Sequence, residues 1–277
     1  MVGVKLRHQD LWLARLSAID REALIQRLRA VDASVFERDA PESFDALFAP
    51  DHGREIVVRV YFSDSEVVGF CVVRVGDVFI GVNRFRVVRT SAAMTRACRG
   101  AAVLGLSLRL ALRERLRHPL LPIISFEVMT HPWSYAQVAG FVRTMAPRYN
   151  RSTPDPVRSL TIALADHFGI RHDDPANPFV CSPGYRTRQS EGERDRWAES
   201  NNPDVRFYHR LNPRYDEGRA MLGLVTVTWA DTFVGVGSYL AIRLALALES
   251  LGLKRPHGAR SGLSRKPTFG PRGELYD

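Results

Sequence analysis

Lysine is nearly missing from this chain of 277 residues. Of 39 basic residues only Lys5, Lys254 and Lys266 are lysines, and the others are arginines. Acidic residues number 30, leaving a formal charge of +9. The skew has two readings: a GC-rich genome, or an anionic partner such as a nucleic acid, a phosphate-bearing ligand, an acidic protein or a membrane surface. Cysteine is scarce too. Cys71, Cys98 and Cys181 are odd in number, far apart and never in a C-x-x-C pair, which excludes a disulfide framework and a zinc ribbon. No uncharged run is long enough to cross a membrane. The most apolar stretch, residues 220–248, is broken by Asp231 and Arg243. Its uncharged pieces, 220–230 and 232–242, fall well short of the roughly 20 residues a spanning helix needs. The opening MVGVKLRHQD has no apolar segment of the secretory kind, so a cytoplasmic protein is expected.

What is present reads as a folded chain. Hydrophobic residues make up 45% and charged residues 25%, as in ordinary globular proteins. Ser17 to Val31 predicts an amphipathic helix, with Leu24, Ile25, Leu28 and Val31 at helical spacing. Glu55 to Phe62 alternates as a strand, and Ser63-Asp64-Ser65 is turn chemistry. Val67 to Val75 follows as a second strand, Gly76-Asp77 as a break, and Val78 to Val88 as a third strand. Ala101 to Leu116 predicts a long helix, with Leu104, Leu108 and Leu112 in one row and Arg109, Arg113, Glu114 and Arg117 on the wet face. A strand over Leu121–Thr130 and a helix from Pro132 to Met145 come next.

Past Asn150 the pattern weakens. A helix-like run covers Val157–Phe168, residues 171–219 are polar and irregular, and a strand at 220–229 leads to a helix ending near Gly252. The expected organisation is one domain over 1–253, with a core at 17–149, an irregular insertion at 150–219 and a strand and helix at 220–252. A basic, flexible tail covers 254–277. Hairpin strands followed by a strand–helix–strand crossover make this an α/β (α+β) fold with a mixed, mostly antiparallel sheet flanked by helices.

The chemistry concentrates where the third strand passes into the long helix. There the chain reads Arg96-Ala97-Cys98-Arg99-Gly100-Ala101-Ala102. Small residues at a helix start let an anion approach free backbone N–H groups, and the helix dipole and two arginines add positive potential. The other reading is that Gly100 and the alanines only permit close helix–sheet packing. The segment Cys98 to Leu104 resembles the acyl-CoA loop of the GNAT acyltransferase superfamily, with Ala102 and Leu104 standing where glycines are common. The order of meander, basic loop, helix, strand and helix is that family's order. Ile123–Thr130 followed by His131-Pro132-Trp133-Ser134-Tyr135 and Phe141 resembles its next block. There His131 takes the place of an Asn, and Val138 that of a Tyr that often serves as general acid. The likeness spans roughly residues 17–145.

The resemblance implies an N-acyltransferase. An amine would attack the thioester of acyl-CoA or of acyl-phosphopantetheine on a carrier protein, with no metal. Arg96, Arg99, Gly100, Ala101 and Ala102 would hold the donor phosphates, and backbone N–H groups at Val87 and Val88 the thioester oxygen. Glu127 is the candidate base, on the strand side opposite Phe126 and Val128; a surface or salt-bridged glutamate is the alternative. Tyr135 is a candidate acid or a packing residue, and His131 a proton carrier or a structural histidine. The implied acceptor is a small-molecule or peptide amine, and an acidic acyl carrier protein would suit the positive charge. The alternative is an inactive protein of the same fold that binds a polyanion or acidic partner. Specific nucleic-acid binding is not expected, because the arginines are spread along the chain and not interleaved with aromatics. His167 and His172 lack an obvious third metal ligand. Oligomeric state is left open.

Overall fold

The computed structural model describes residues 6–40, 42–49, 54–98, 105–172, 177–230, 233, 268–269 and 275–276. The expected helix at 231–252 and the basic tail fall almost wholly outside the described residues. The chain divides into two compact units, Val4–Val227 and a second holding Thr228–Asp277.

In the first unit β1 (Leu6–Trp12) leads to α1 (Ala18–Val35), whose Ser17 cap accepts the Asp20 N–H. Then come β2 (Phe36–Arg38), α2 (Glu42–Asp45), β3 (Glu55–Ser63), β4 (Glu66–Ile80) and β5 (Asn83–Met94). Next are α3 (Gly105–Arg117), β6 (Ile123–Met129), α4 (Pro132–Phe141), β7 (Met145–Ala146) and α5 (Asp155–His167). The stretch expected to be irregular carries β8 (Arg171–His172), β9 (Val180–Ser182), β10 (Tyr185–Thr187), α6 (Glu191–Ala198) and α7 (Pro203–Leu211) before β11 (Ala220–Thr226).

The main sheet runs β1-β3-β4-β5-β6-β11-β9-β8, with β7 also on β11. Every pairing is antiparallel except β5 with β6. That parallel pair needs a crossover, and α3 supplies it. On the α3 face Val57, Val73, Val75, Val88 and Ile123 pack against Leu106, Leu110 and Ala111. On the opposite face α1 covers Val58, Val60 and Val72, and α5 covers Val87, Ile124, Phe126 and Leu222.

Three features differ from the sequence-based expectation. β4 runs straight through Gly76-Asp77, and the turn comes at Gly81, whose φ of +59° is left-handed. Gly76 serves a different purpose: a Cβ there would stand 2.4 Å from Arg54 Cγ, so the glycine lets the Arg54 side chain lie across the strand. In α3 the buried row is Leu106, Leu110 and Ala111, while Leu108 is exposed. Glu114, expected on the wet face, is fully buried. Its carboxylate takes Arg86 Nε at 2.8 Å and Arg113 Nε at 3.0 Å. Several arginines stitch the interior in this way, among them Arg59 on Asp10 and Arg38 on Asp32.

Candidate active site

β5 and β6 stay in register for only three pairs, Arg86↔Ile123, Val87↔Ile124 and Val88↔Ser125. Beyond them each strand follows its other neighbour, β5 pairing on with β4 to Met94 and β6 with β11 to Met129. The two strands therefore part, and a gap opens between Thr90 and Glu127. Glu127 fills it. Its carboxylate accepts the Thr90 N–H at 3.3 Å and the Thr90 hydroxyl at 3.2 Å. The Ser125 hydroxyl, two residues back on the same strand face, donates to the same carboxylate. Thr90 Oγ1 in turn lies 2.8 Å from Ser107 Oγ in the first described turn of α3. Ser125, Glu127, Thr90 and Ser107 thus form one hydrogen-bonded chain on the α3 face.

Burial raises the Glu127 pKa above the ordinary carboxylate value, with the donors from Ser125 and Thr90 and the charge of Arg89 opposing. A carboxylate so placed holds a proton more readily than a surface one. Cys71, on β4 beneath the same network, is pushed up to about 12 by burial and then by the Glu127 charge. It is an inert thiol at neutral pH.

Val87 and Val88 sit inside the paired part of β5, between β4 and β6. Their side chains are buried in opposite cores. The N–H that emerges into the gap belongs to Thr90, which the sequence reasoning passed over. The signal was there in part: Ser125 and Glu127 share a face by simple alternation. Pairing Glu127 with Thr90 required knowing where β5 and β6 separate.

Arg96 donates to Ser190 Oγ at 3.0 Å and lies 3.9 Å from Glu193. It joins the end of β5 to α6, and its side chain is 66% exposed. Arg99, Gly100, Ala101 and Ala102 lie outside the described residues. His131 is the N-cap of α4. Its Nδ1 accepts the Trp133 N–H at 3.1 Å, the role an Asn would fill, and its ring stands edge-on to Trp197. Tyr135 is fully buried against Phe207 and Tyr208, and its hydroxyl donates to the Pro147 carbonyl at 2.8 Å. Burial raises its pKa far above the ordinary phenol value. No hydrogen bond or ring contact among the described residues joins Tyr135 to Glu127. Three of the candidates are therefore placed apart by role: Glu127 in the gap, His131 as a helix cap, Tyr135 in a closed core.

The strand and helix order of this core is the order the sequence resemblance implies. No protein-family model and no curated protein matches the chain. Among solved structures it is similar to Escherichia coli ElaA, at 19% identity and a TM-score of 0.34, over 54% of this chain and 95% of that one. An acyl-CoA N-acyltransferase from Pseudomonas aeruginosa matches at 20% identity and a TM-score of 0.32, over 50% and 87% of the two chains. An aminoglycoside acetyltransferase from an uncultured soil metagenomic sample matches at 15% and 0.27, over 46% and 79%. These likenesses are distant, and the fold rests on the chain's own topology. Among the described residues no helix is long and apolar enough to cross a membrane, and no group of His, Cys, Asp and Glu is set to hold a metal.

Proposed function

We propose that the protein is an N-acyltransferase that moves an acyl group from an acyl-CoA or acyl-carrier thioester to an amine. The observation that carries this reading is the gap between β5 and β6, with a proton-retaining carboxylate on one wall and a backbone N–H, that of Thr90, on the other. In the bound complex the thioester oxygen would take the Thr90 N–H in place of Glu127. A donor aimed at a developing oxyanion is worth far more in a dry site than in water.

The freed Glu127 would then act as base. The amine nitrogen attacks the carbonyl carbon, and a C–N bond forms as the carbonyl electrons move onto oxygen. Glu127 takes the proton from the attacking nitrogen, the carbonyl re-forms, and the C–S bond breaks. The thiolate leaves and is protonated from solvent. His131 and Tyr135 have no step in this scheme. Val87 and Val88 serve as the rigid end of the strand pair. Arg99 and Gly100, by the sequence resemblance, would meet the donor phosphates. The positive charge suits an acidic carrier protein as well as free CoA.

Infrared difference spectra of a bound acyl-CoA carrying a carbon-13 carbonyl test the assignment. A hydrogen bond from Thr90 lowers the carbonyl frequency relative to the free thioester, and more so in Glu127→Gln, which competes less well for that N–H. A bound thioester with the solution frequency would overturn the role of the gap.

A further inference from the structure

The hydrogen bonds on Glu127 are not shared evenly between its two oxygens. Oε1 takes both hydroxyls, that of Ser125 and that of Thr90 at 3.2 Å. Among the described residues Oε2 takes only the Thr90 N–H, at 3.3 Å. Thr90 therefore holds the carboxylate twice, once through its backbone and once through its side chain. The two contacts part when a thioester enters the gap. The thioester oxygen needs the N–H and leaves the hydroxyl where it is. Oε2 is then bare, while Oε1 stays fixed.

The hydroxyl chain also has a direction. A threonine hydroxyl carries one proton, and that of Thr90 points at Glu127. Ser107 Oγ, 2.8 Å from Thr90 Oγ1, is then the donor in their contact. Ser107 is buried where α3 meets the sheet, and it also hydrogen-bonds with Cys71, whose thiol burial keeps protonated. Every link can thus point its hydrogen toward Glu127, and each polarises the next. Donors of this kind stabilise an ionised acceptor roughly twice as well as a neutral one. The chain favours the carboxylate, whereas burial favours the acid. The titratable groups coupled to Glu127 are Arg89 on β5, whose charge also favours the carboxylate, and Cys71 on β4. From α3 comes the Ser107 hydroxyl, and β11 sets Gly223 opposite Glu127, with no side chain.

We propose that Ser125, Thr90 and Ser107 are positioning residues whose hydroxyls pin Oε1 of Glu127 and leave Oε2 as the oxygen that takes the acceptor proton. As the C–N bond forms, that proton leaves the nitrogen and makes an O–H bond on Oε2. It passes to solvent before the next turnover, which restores the carboxylate. The choice of oxygen rests on the transferase reading above; the effect of the hydroxyl chain on the Glu127 proton does not.

The test is an infrared pH titration of the free protein, following the protonated-carboxyl band that Glu127→Gln removes. Thr90→Val keeps the shape and the backbone N–H but lacks the hydroxyl. Its midpoint should lie about one pH unit above that of the wild type, the size of one charge-assisted hydrogen bond. Thr90→Ser restores the hydroxyl and should bring the midpoint back. Ser107→Ala should raise the midpoint by less, and it carries the test if Thr90→Val does not fold. A midpoint unmoved or lowered in either variant overturns the chain as drawn.

Thiol release from acyl-CoA is then measured with the same proteins. In Thr90→Val the pH profile should move up with the midpoint, and kcat at a fixed pH on its rising limb should fall roughly ten-fold. The donor KM and the carbonyl frequency of bound carbon-13 acyl-CoA should hold, because the N–H is intact. A changed carbonyl frequency would put the hydroxyl on the thioester and overturn the pinning role. Wild-type protein without thiol release contradicts the transferase reading, while the titration still decides the hydroxyl chain.

Discussion

Glu127 on β6 accepts the backbone N–H of Thr90 on β5, across a gap where these parallel neighbours have stopped pairing. The contact closes a sheet defect with a carboxylate whose burial raises its affinity for a proton. Both members of the contact are needed for the chemistry proposed.

The first prediction concerns pH and stability. The folded-state pKa of Glu127 lies above its ordinary value of 4.5. As pH rises past that ordinary value the unfolded chain ionises first, and the folded protein must give up this proton at a higher pH. Glu127 therefore favours the folded state below its ordinary pKa, and this contribution is lost as pH rises through the raised one. Glu127→Gln should have an unfolding midpoint equal to or above that of the wild type at neutral pH. Its advantage should shrink on acidification. Thermal melts across the acid range check the sign, and a variant less stable at neutral pH than in acid, relative to wild type, would refute it.

A second prediction addresses Glu114, which is fully buried and held by Arg86 and Arg113. Removing one partner of a buried pair leaves the others uncompensated. Glu114→Ala should cost about 3–5 kcal/mol in chemical unfolding. A loss below about 1 kcal/mol would mean the arginines find water, and the pair would then be no better than a surface bridge.

Glycine supplies a third. At Gly69 a Cβ would lie 2.9 Å from the Ala93 carbonyl oxygen and 2.1 Å from Met94 Sδ. The methionine can swing away, but the carbonyl belongs to the partner strand. Gly69→Ala should destabilise by about 1–3 kcal/mol, the usual range for overpacking. The urea midpoint should fall with little change in slope.

His131 and Tyr135 give a fourth. His131→Asn should keep the α4 cap, while His131→Ala should lose about 1 kcal/mol. Tyr135→Phe should lose about 1 kcal/mol through the Pro147 hydrogen bond and leave turnover with any thioester unchanged. A drop of a hundred-fold or more in turnover with Tyr135→Phe would restore Tyr135 as the proton donor.

How much of this was legible in the sequence depends on the residue. The meander, the crossover helix and the order that follows came from alternation and spacing, although β3 is buried on both faces and its Arg59 is carried inside by Asp10. Glu127 was legible as the one charged residue in an apolar strand. Thr90 was not, since nothing local marks the point where β5 leaves β6. The α3 face was misjudged for a related reason: an apolar stripe assumes that charges lie outside, whereas Glu114 and Arg115 are buried and partnered. Gly76 read as a turn because glycine breaks strands more often than it makes room for an arginine. β1 went unpredicted, since LRHQDLW is polar and gains its partner from β3, far along the chain.

The most direct test of the central claim is thiol release from acyl-CoA and acyl-carrier thioesters with a panel of amines, in wild type and in Glu127→Gln. The account predicts turnover in the wild type, rising with pH through the raised pKa of Glu127. It predicts a loss of about a hundred-fold or more in the variant, the range general-base catalysis supplies. Wild-type rates in folded Glu127→Gln, or no thiol release from any thioester by the wild type, would contradict it.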